Sequence, residues 1–113
     1  MSVAFEGIDR LVVTFLAGDV TAGKPVVMGG EGSVKNASSG QMPVGVALHA
    51  RDGHAAVQLK GFVTVQYSGT TAPALGWTAL VADSVGCLRA AGSGRMCLVV
   101  TRDSEKKTVG LFL

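Results

Sequence analysis

Apolar and polar residues alternate most regularly over residues 55–67. The odd positions carry Val57, Leu59, Gly61, Val63, Val65 and Tyr67, and the even positions include Gln58, Lys60, Thr64 and Gln66. A period of two predicts a half-buried β-strand. The run is longer than a usual strand of ~5–6 residues. We therefore expect Gly61 to mark a bulge or a bend where the strand turns a corner.

Two turn motifs predict hairpins. Residues 44–49 also alternate, and Arg51-Asp52-Gly53 separates them from the long run. Asp-Gly between alternating segments is a strong hairpin signal. Further along, residues 85–89 and 96–101 flank Gly92-Ser93-Gly94, which predicts a second hairpin. In that hairpin Cys87 and Cys97 would face each other across the strands, or be offset by one residue.

The remaining alternating segments are short. Strands are predicted at residues 11–16, 25–28, 32–35 and 108–113, with a turn at Gly29-Gly30. No segment has a sustained helical period, and Pro73 and Gly76 predict a loop over residues 72–80. The expected fold class is all-β, a small β-barrel or β-sandwich of short antiparallel strands. We expect one domain over residues 1–113 without a tandem repeat, in which residues 1–10 are a candidate N-terminal arm.

The composition points to a surface with few charges. Charged residues make up 16% of the chain and hydrophobic residues 48%, against about 25% charged in typical domains. Such a surface suggests coverage by a partner, although a compact β-domain with a Thr/Ser surface remains the alternative. The net charge of +2 is spread evenly, which argues against nucleic acid as a partner.

The sequence also argues against a membrane partner and against secretion. No apolar run reaches the ~18 residues of a membrane span. Residues 1–7 lack a basic segment followed by an apolar one, so no signal peptide is predicted. We expect the protein to be made in a cytoplasm.

A segment from Gly18 to Pro25 nearly fits the phosphate-binding loop. The position that should carry the Mg²⁺-binding hydroxyl is Pro25, and a strand rather than a helix follows it. We therefore interpret the segment as a tight turn with Gly23 at the bend and Pro25 opening the next strand.

The cysteines and histidines predict no catalytic or metal site. Cys87 and Cys97 have no histidine near them in sequence, and reduced, packed thiols are the expected state in a cytoplasm. His49 and His54 flank the Asp52 turn, but Asp52 is the only local candidate for a third ligand. We expect a non-enzymatic protein that uses no cofactor and no metal.

Aromatic residues are scarce and supply the candidate interface. Trp77 follows Gly76 in the predicted loop, where it would be a core plug or an interface anchor. Tryptophan is enriched at the energetic centres of interfaces. Together with Phe62 and Phe5, Trp77 is a candidate interface residue.

The order and spacing of several modest motifs carry a family resemblance. They are Ala22-Gly-Lys-Pro-Val26, Pro43-Val-Gly-Val-Ala47, Ala56-Val-Gln-Leu-Lys-Gly-Phe-Val63, Tyr67-Ser-Gly, Gly76-Trp77, Leu98-Val-Val and Lys107-Thr-Val-Gly-Leu. From about residue 12 to residue 113, the chain resembles the capsid decoration (cement, head-stabilising) proteins of tailed phages.

The resemblance implies a function in the virion. It implies a β-barrel or β-sandwich on the outer surface of the phage head, often a homotrimer, which binds the major capsid protein and holds capsomers together. It carries over no catalytic residues. The alternative function is a non-catalytic accessory or ligand-binding β-domain of a bacterial protein.

Overall fold

Ten strands form two sheets in the part of the chain that the structure describes. The structure is a computed structural model, and it describes residues 10–18, 20–83 and 86–113. Over these residues it contains strands and turns and no helix, which confirms the all-β fold class. The strands are β1 Leu11–Ala17, β2 Pro25–Gly30, β3 Ser33–Asn36, β4 Gly45–Arg51, β5 His54–Lys60, β6 Phe62–Gln66, β7 Gly76–Ala82, β8 Leu88–Ala90, β9 Arg95–Asp103 and β10 Thr108–Phe112.

The first five strands close into a barrel. The order is β1-β3-β2-β4-β5, and β5 pairs back to β1. Successive side chains of a strand point to opposite sides, so one residue in two faces the interior. The interior cluster consists of Val26, Val34, Ala47, Ala55 and Val57, with Phe15, Ala17, Val20, Val44 and Leu59 packed against it.

The last five strands form the second sheet, in the order β6-β10-β9-β7-β8. Its two edges approach each other, because Tyr67 and Leu88 form a parallel bridge and the Ser68 amide donates to the Leu88 carbonyl at 2.9 Å. Its core cluster contains Val63, Val65, Tyr67, Leu80, Leu88, Cys97, Val99, Val109 and Leu111.

The barrel and the second sheet share one strand order. In the barrel the antiparallel pairs are β1–β5, β5–β4, β4–β2 and β2–β3. In the second sheet the corresponding antiparallel pairs are β6–β10, β10–β9, β9–β7 and β7–β8. In addition, β3 pairs with β1 in parallel, and Leu88 of β8 forms a parallel bridge with Tyr67, which follows β6. One backbone hydrogen bond is also equivalent in the two sheets. In the barrel the Gly18 amide donates to the Val34 carbonyl, and in the second sheet the Ser68 amide donates to the Leu88 carbonyl. The two sheets therefore have the same topology, which the absence of a visible tandem repeat in the sequence did not indicate.

Polar side chains tie the barrel to the second sheet where β5 gives way to β6. The Arg95 guanidinium donates to the carbonyls of Val44 at 3.0 Å and Leu59 at 2.9 Å, with a longer contact to Pro43 at 3.4 Å. The buried Gln58 amide donates to the carbonyls of Lys60 and Phe62. These bonds give the backbone carbonyls around the junction hydrogen-bond donors from the side chains of Arg95 and Gln58.

Three sequence-based turns are confirmed. Asp52 and Gly53, with φ of 53° and 77°, connect β4 and β5, as expected of a two-residue hairpin turn. Gly61, with φ of 102°, forms a bend between Lys60, the last residue of β5, and Phe62, the first residue of β6 in the other sheet. Gly23, with φ of 82°, lies at a bend before β2, which Pro25 opens.

Other sequence-based expectations are wrong. The loop predicted over residues 72–80 is largely β7, whose Leu80, Val81 and Ala82 are all buried and so show no alternation. The turn predicted at Gly29-Gly30 lies instead at Glu31 and Gly32, after β2. No hairpin joins β8 to β9, because β7 lies between them and pairs with both. Cys87 and Cys97 therefore do not face each other across a ladder.

Candidate interaction surface

An apolar row crosses the outer side of the second sheet. Leu80, Cys97, Val99 and Leu111 point inward to the core, so their strand neighbours point outward. Direct cross-strand partners then place one outward residue from each of four strands side by side, in the order Phe62, Phe112, Leu98 and Trp77. The next outward pair along β7 and β9 is Ala79 and Met96. We call these six residues the Trp77 face.

Trp77 is the most exposed large apolar side chain of this surface. Its side chain is 69% exposed, and that of Met96 is 54% exposed. Such exposure excludes the role of core plug that the sequence left open for Trp77. None of the six residues of the Trp77 face carries a charge. Contiguous exposed apolar residues of this kind mark interaction surfaces on soluble proteins.

The aromatic end of the Trp77 face is packed within the sheet. Phe62 and Phe112 meet edge to face, with ring centroids 5.4 Å apart. A Cβ atom added at Gly110 would lie 2.7 Å from Cζ of Phe62, so the absent side chain at Gly110 makes room for the ring. Phe62 and Phe112 are accordingly half-buried and fixed, while Trp77 and Met96 remain open to a partner.

The barrel carries a second, separate apolar surface. Phe15 and Ala17 of β1 pack on the barrel interior, so Val12 and Leu16 point outward, at 42% and 54% exposure. Thr14 lies between them and is opposite Ala56 of β5. We call Val12, Leu16 and Ala56 the barrel face.

The two thiols lie apart from both surfaces. Cys97 belongs to the core of the second sheet, and its Sγ donates to the Arg95 carbonyl at 3.6 Å. Burial raises the pKa of the Cys97 thiol, and the Arg95 side chain offsets only part of that rise. A raised pKa disfavours the thiolate, which is the nucleophilic form. Cys87 is half-buried, and both cysteines are free thiols.

The histidines are held near the β4–β5 turn. Nδ1 of His54 lies 3.0 Å from the Asp52 carbonyl, and His54 pairs with Arg51, whereas His49 pairs with Ala56. The two rings are therefore not direct cross-strand partners. Over residues 10–18, 20–83 and 86–113, no three His, Cys, Asp or Glu side chains are grouped as a metal site would require. Nor do these residues include a helix of the length and apolarity that a membrane crossing needs.

Two of the three candidate interface residues can be placed. Trp77 and Phe62 belong to one face, while Phe5 lies outside the described residues. Sequence reasoning missed Met96, Leu98 and Phe112, which join them. The sequence of β9 does indicate that Met96 and Leu98 lie on the same side of the strand, because they alternate with Cys97 and Val99 on the other side. That β9 pairs with β7, which places Leu98 opposite Trp77, could not be read from the sequence.

Comparison with known proteins identifies no family for this chain. No protein-family model matches the chain, and searches of curated proteins and of solved structures likewise found no match.

Proposed function

We propose that this protein is a phage head decoration protein, which binds the outside of the assembled capsid and stabilises it by bridging capsomers. The observation that carries the proposal is the presence of two apolar faces on different sheets, the Trp77 face and the barrel face. A molecule that bridges must make at least two contacts. In this reading the protein is a structural, non-catalytic component of the virion surface, made in the host cytoplasm, with the major capsid protein as its partner.

The way the two sheets are joined supports bridging. A connector transmits force only if its contact surfaces keep a fixed separation. The Arg95 and Gln58 hydrogen bonds, together with Val46 of the barrel packed in the core of the second sheet, hold the two sheets together. The sequence resemblance to decoration proteins supports the same function independently of this geometry.

Lattice geometry would supply the affinity. Each apolar contact is modest, but a molecule that spans neighbouring capsomers makes its second contact at a high effective concentration. Free capsid subunits offer no such arrangement, so binding should require the assembled lattice. Moderate salt should weaken binding little, because screening acts mainly on exposed charges and this chain has few.

Sedimentation tests the proposal. The purified protein is mixed with undecorated heads, and separately with unassembled subunits of the same capsid protein, at low and at moderate salt. We expect co-sedimentation with heads at both salt concentrations and little binding to free subunits. Absence of binding to cognate heads would reject the proposal and favour an accessory β-domain of a bacterial protein.

A matched pair of variants locates the contact. Leu16→Lys places a charge in the barrel face, and a buried unpaired charge should weaken head binding about tenfold or more. Met42→Lys changes an equally exposed residue before β4, at 58% against 54%, and should bind like the wild type. Equal loss in both variants would mean that the barrel face is not the contact.

A further inference from the structure

We propose that one edge of β6 is the binding site for residues 1–9 of the same chain, which pair with it as a further strand. The inference goes beyond the proposed function and does not depend on it. It rests on which backbone groups of β6 have a partner among the described residues, and on where β1 leads the chain.

One edge of β6 is paired along its whole length. Residues 62–66 pair with β10. The Gly61 carbonyl accepts from the Leu113 amide, and the Tyr67 amide donates to the Lys107 carbonyl. The odd-numbered residues of this segment therefore direct their backbone groups to β10. Because adjacent residues of a strand face opposite edges, the backbone groups of Thr64 and Gln66 point to the other edge.

That other edge is open between two points of contact. At one end the Ser68 amide donates to the Leu88 carbonyl, and at the other the Gln58 side-chain amide donates to the Phe62 carbonyl. Between them, no backbone bond within the described residues reaches Thr64 or Gln66 from this side, and both residues are exposed. A free strand edge is a template for a further strand.

The chain that enters β1 comes from the direction of this edge. Leu11 opens β1 and pairs with Lys60, the last residue of β5. The carbonyls of Lys60 and Phe62 both accept from the Gln58 amide, at 3.1 Å and 2.9 Å, so they point to the same edge. Since β1 is antiparallel to β5 and β5 continues into β6, the residues before Leu11 run past Gly61 along the open edge.

The segment has the length and the sequence that the edge requires. Nine residues precede Arg10, and in extended conformation they reach about 30 Å, about twice what a five-residue strand such as β6 needs. Residues 1–10 contain no proline, and Val3 and Phe5 alternate with Ala4 and Glu6. Such alternation is typical of a strand with one buried side.

The pairing would unite the candidate interface residues. It would bring Phe5 onto the sheet that carries Phe62 and Trp77, so that all three belong to one sheet. It would also cover an edge that could otherwise pair with strands of other proteins.

The barrel contains a matched reference position, Thr14 of β1. The Ala17 amide donates to the Gly53 carbonyl, so the backbone groups of Thr14 face away from β5. On that side β3 pairs only with Leu16 and Ala17. Thr14 is therefore an exposed edge threonine like Thr64, but the chain before Leu11 leads away from it.

Amide hydrogen exchange, measured by NMR on the full chain without any capsid, tests the pairing. The amides of Thr64 and Gln66 should exchange about tenfold or more slowly than that of Thr14. Nuclear Overhauser contacts should join residues 1–9 to residues 62–66.

Proline variants show which segment protects the edge. The amides of Glu6 and Gly7 face opposite edges of the proposed strand, so either Glu6→Pro or Gly7→Pro removes a donor to β6. At least one variant should raise the exchange of Thr64 and Gln66 to the rate of Thr14. Glu6→Ala keeps the donor and should keep the protection. The Val65 amide, which faces β10, should stay protected in every variant.

Three results would overturn the inference. The amides of Thr64 and Gln66 could exchange as fast as that of Thr14. Their protection could survive both proline variants, which would make another part of the chain the occupant, or it could fall on dilution, which would assign the strand to a second copy. Because no capsid is present, a failure of head binding does not affect any of these results.

Discussion

Gly110 determines how the aromatic residues of the Trp77 face are arranged. It lies on β10 at a bulge, opposite Thr101, where a side chain would collide with the Thr101 hydroxyl and with the Phe62 ring. The sequence places Phe62 among the even, mostly polar positions of residues 55–67. It could not show that the ring covers a glycine on the neighbouring strand, because that contact depends on which strands pair.

Replacing Gly110 tests this packing. In Gly110→Ala the new Cβ would collide with the Thr101 hydroxyl and lie 2.7 Å from Cζ of Phe62, so both side chains must move. We expect a loss of about 1–3 kcal/mol in the free energy of unfolding, measured by chemical denaturation. Gly92→Ala is the control, because nothing lies within 4 Å of the added atom. Equal denaturation midpoints for the two variants would contradict the packing.

The buried Cys97 thiol predicts a pH dependence of stability. Burial raises the pKa of this thiol in the folded state, so the unfolded chain ionises it first. Its contribution to stability is therefore present at neutral pH and lost as pH rises above the ordinary thiol pKa of about 8.5. Between about pH 7 and about pH 10, the wild type should lose more stability than Cys97→Ala.

A second variant, at a similarly buried position, controls for the side-chain volume that Cys97→Ala removes from the core. Val99→Ala removes buried atoms from the same strand without removing a titratable group, and it should keep the pH dependence of the wild type. The prediction fails if Cys97→Ala and Val99→Ala respond to pH alike.

At the scale of single elements, alternation and turn residues predicted where most strands lie, but they predicted fewer of the pairings between strands. β1, β4, β5 and β10 were expected close to their observed bounds, because larger apolar residues alternate with polar or small residues in their sequences. In β4 and β10 burial itself does not alternate, since each has three consecutive buried residues. β7 was missed because its last three residues are buried on both sides. The partner of β8 was missed because sequence proximity favours a hairpin with β9, whereas core packing places β7 between them.

The β4–β5 hairpin depends on the conformation of its turn. Gly53 has φ of 77°, which a β-branched residue adopts only with strain. Gly53→Val should therefore destabilise the protein by more than about 1 kcal/mol, as measured by thermal unfolding. Gly18→Val, at an exposed glycine without positive φ and with open space around it, should cost less. Wild-type melting of Gly53→Val would mean that the turn does not set the strand register.

At the scale of the whole molecule, the repeated strand order is what sequence reasoning could not find. The two halves share few residue types at equivalent positions: Val26 corresponds to Leu80, Gly45 to Arg95 and Val46 to Met96. The replacement of Gly45 by Arg95 has a physical consequence. A Cβ at Gly45 would lie 2.5 Å from the Gln58 carbonyl, whereas Arg95 extends into the junction between the barrel and the second sheet.

Arg95 should thus contribute strongly to the stability of the whole chain. Arg95→Met removes the donors to the carbonyls of Val44 and Leu59. Leaving these carbonyls unpaired should cost about 2 kcal/mol or more in the free energy of unfolding. Arg89→Met, at a half-buried arginine of β8, should change it by about 0.5 kcal/mol or less. Similar losses in both variants would mean that Arg95 does not join the two sheets.

The stability of the phage head itself tests the central claim most directly. Undecorated heads are heated with and without saturating purified protein, and their disruption is followed by light scattering. A protein that bridges capsomers binds the intact lattice and not its separated subunits, so it should raise the temperature of disruption in proportion to occupancy. Heads that bind the protein and yet disrupt at the same temperature as undecorated heads would contradict the claim.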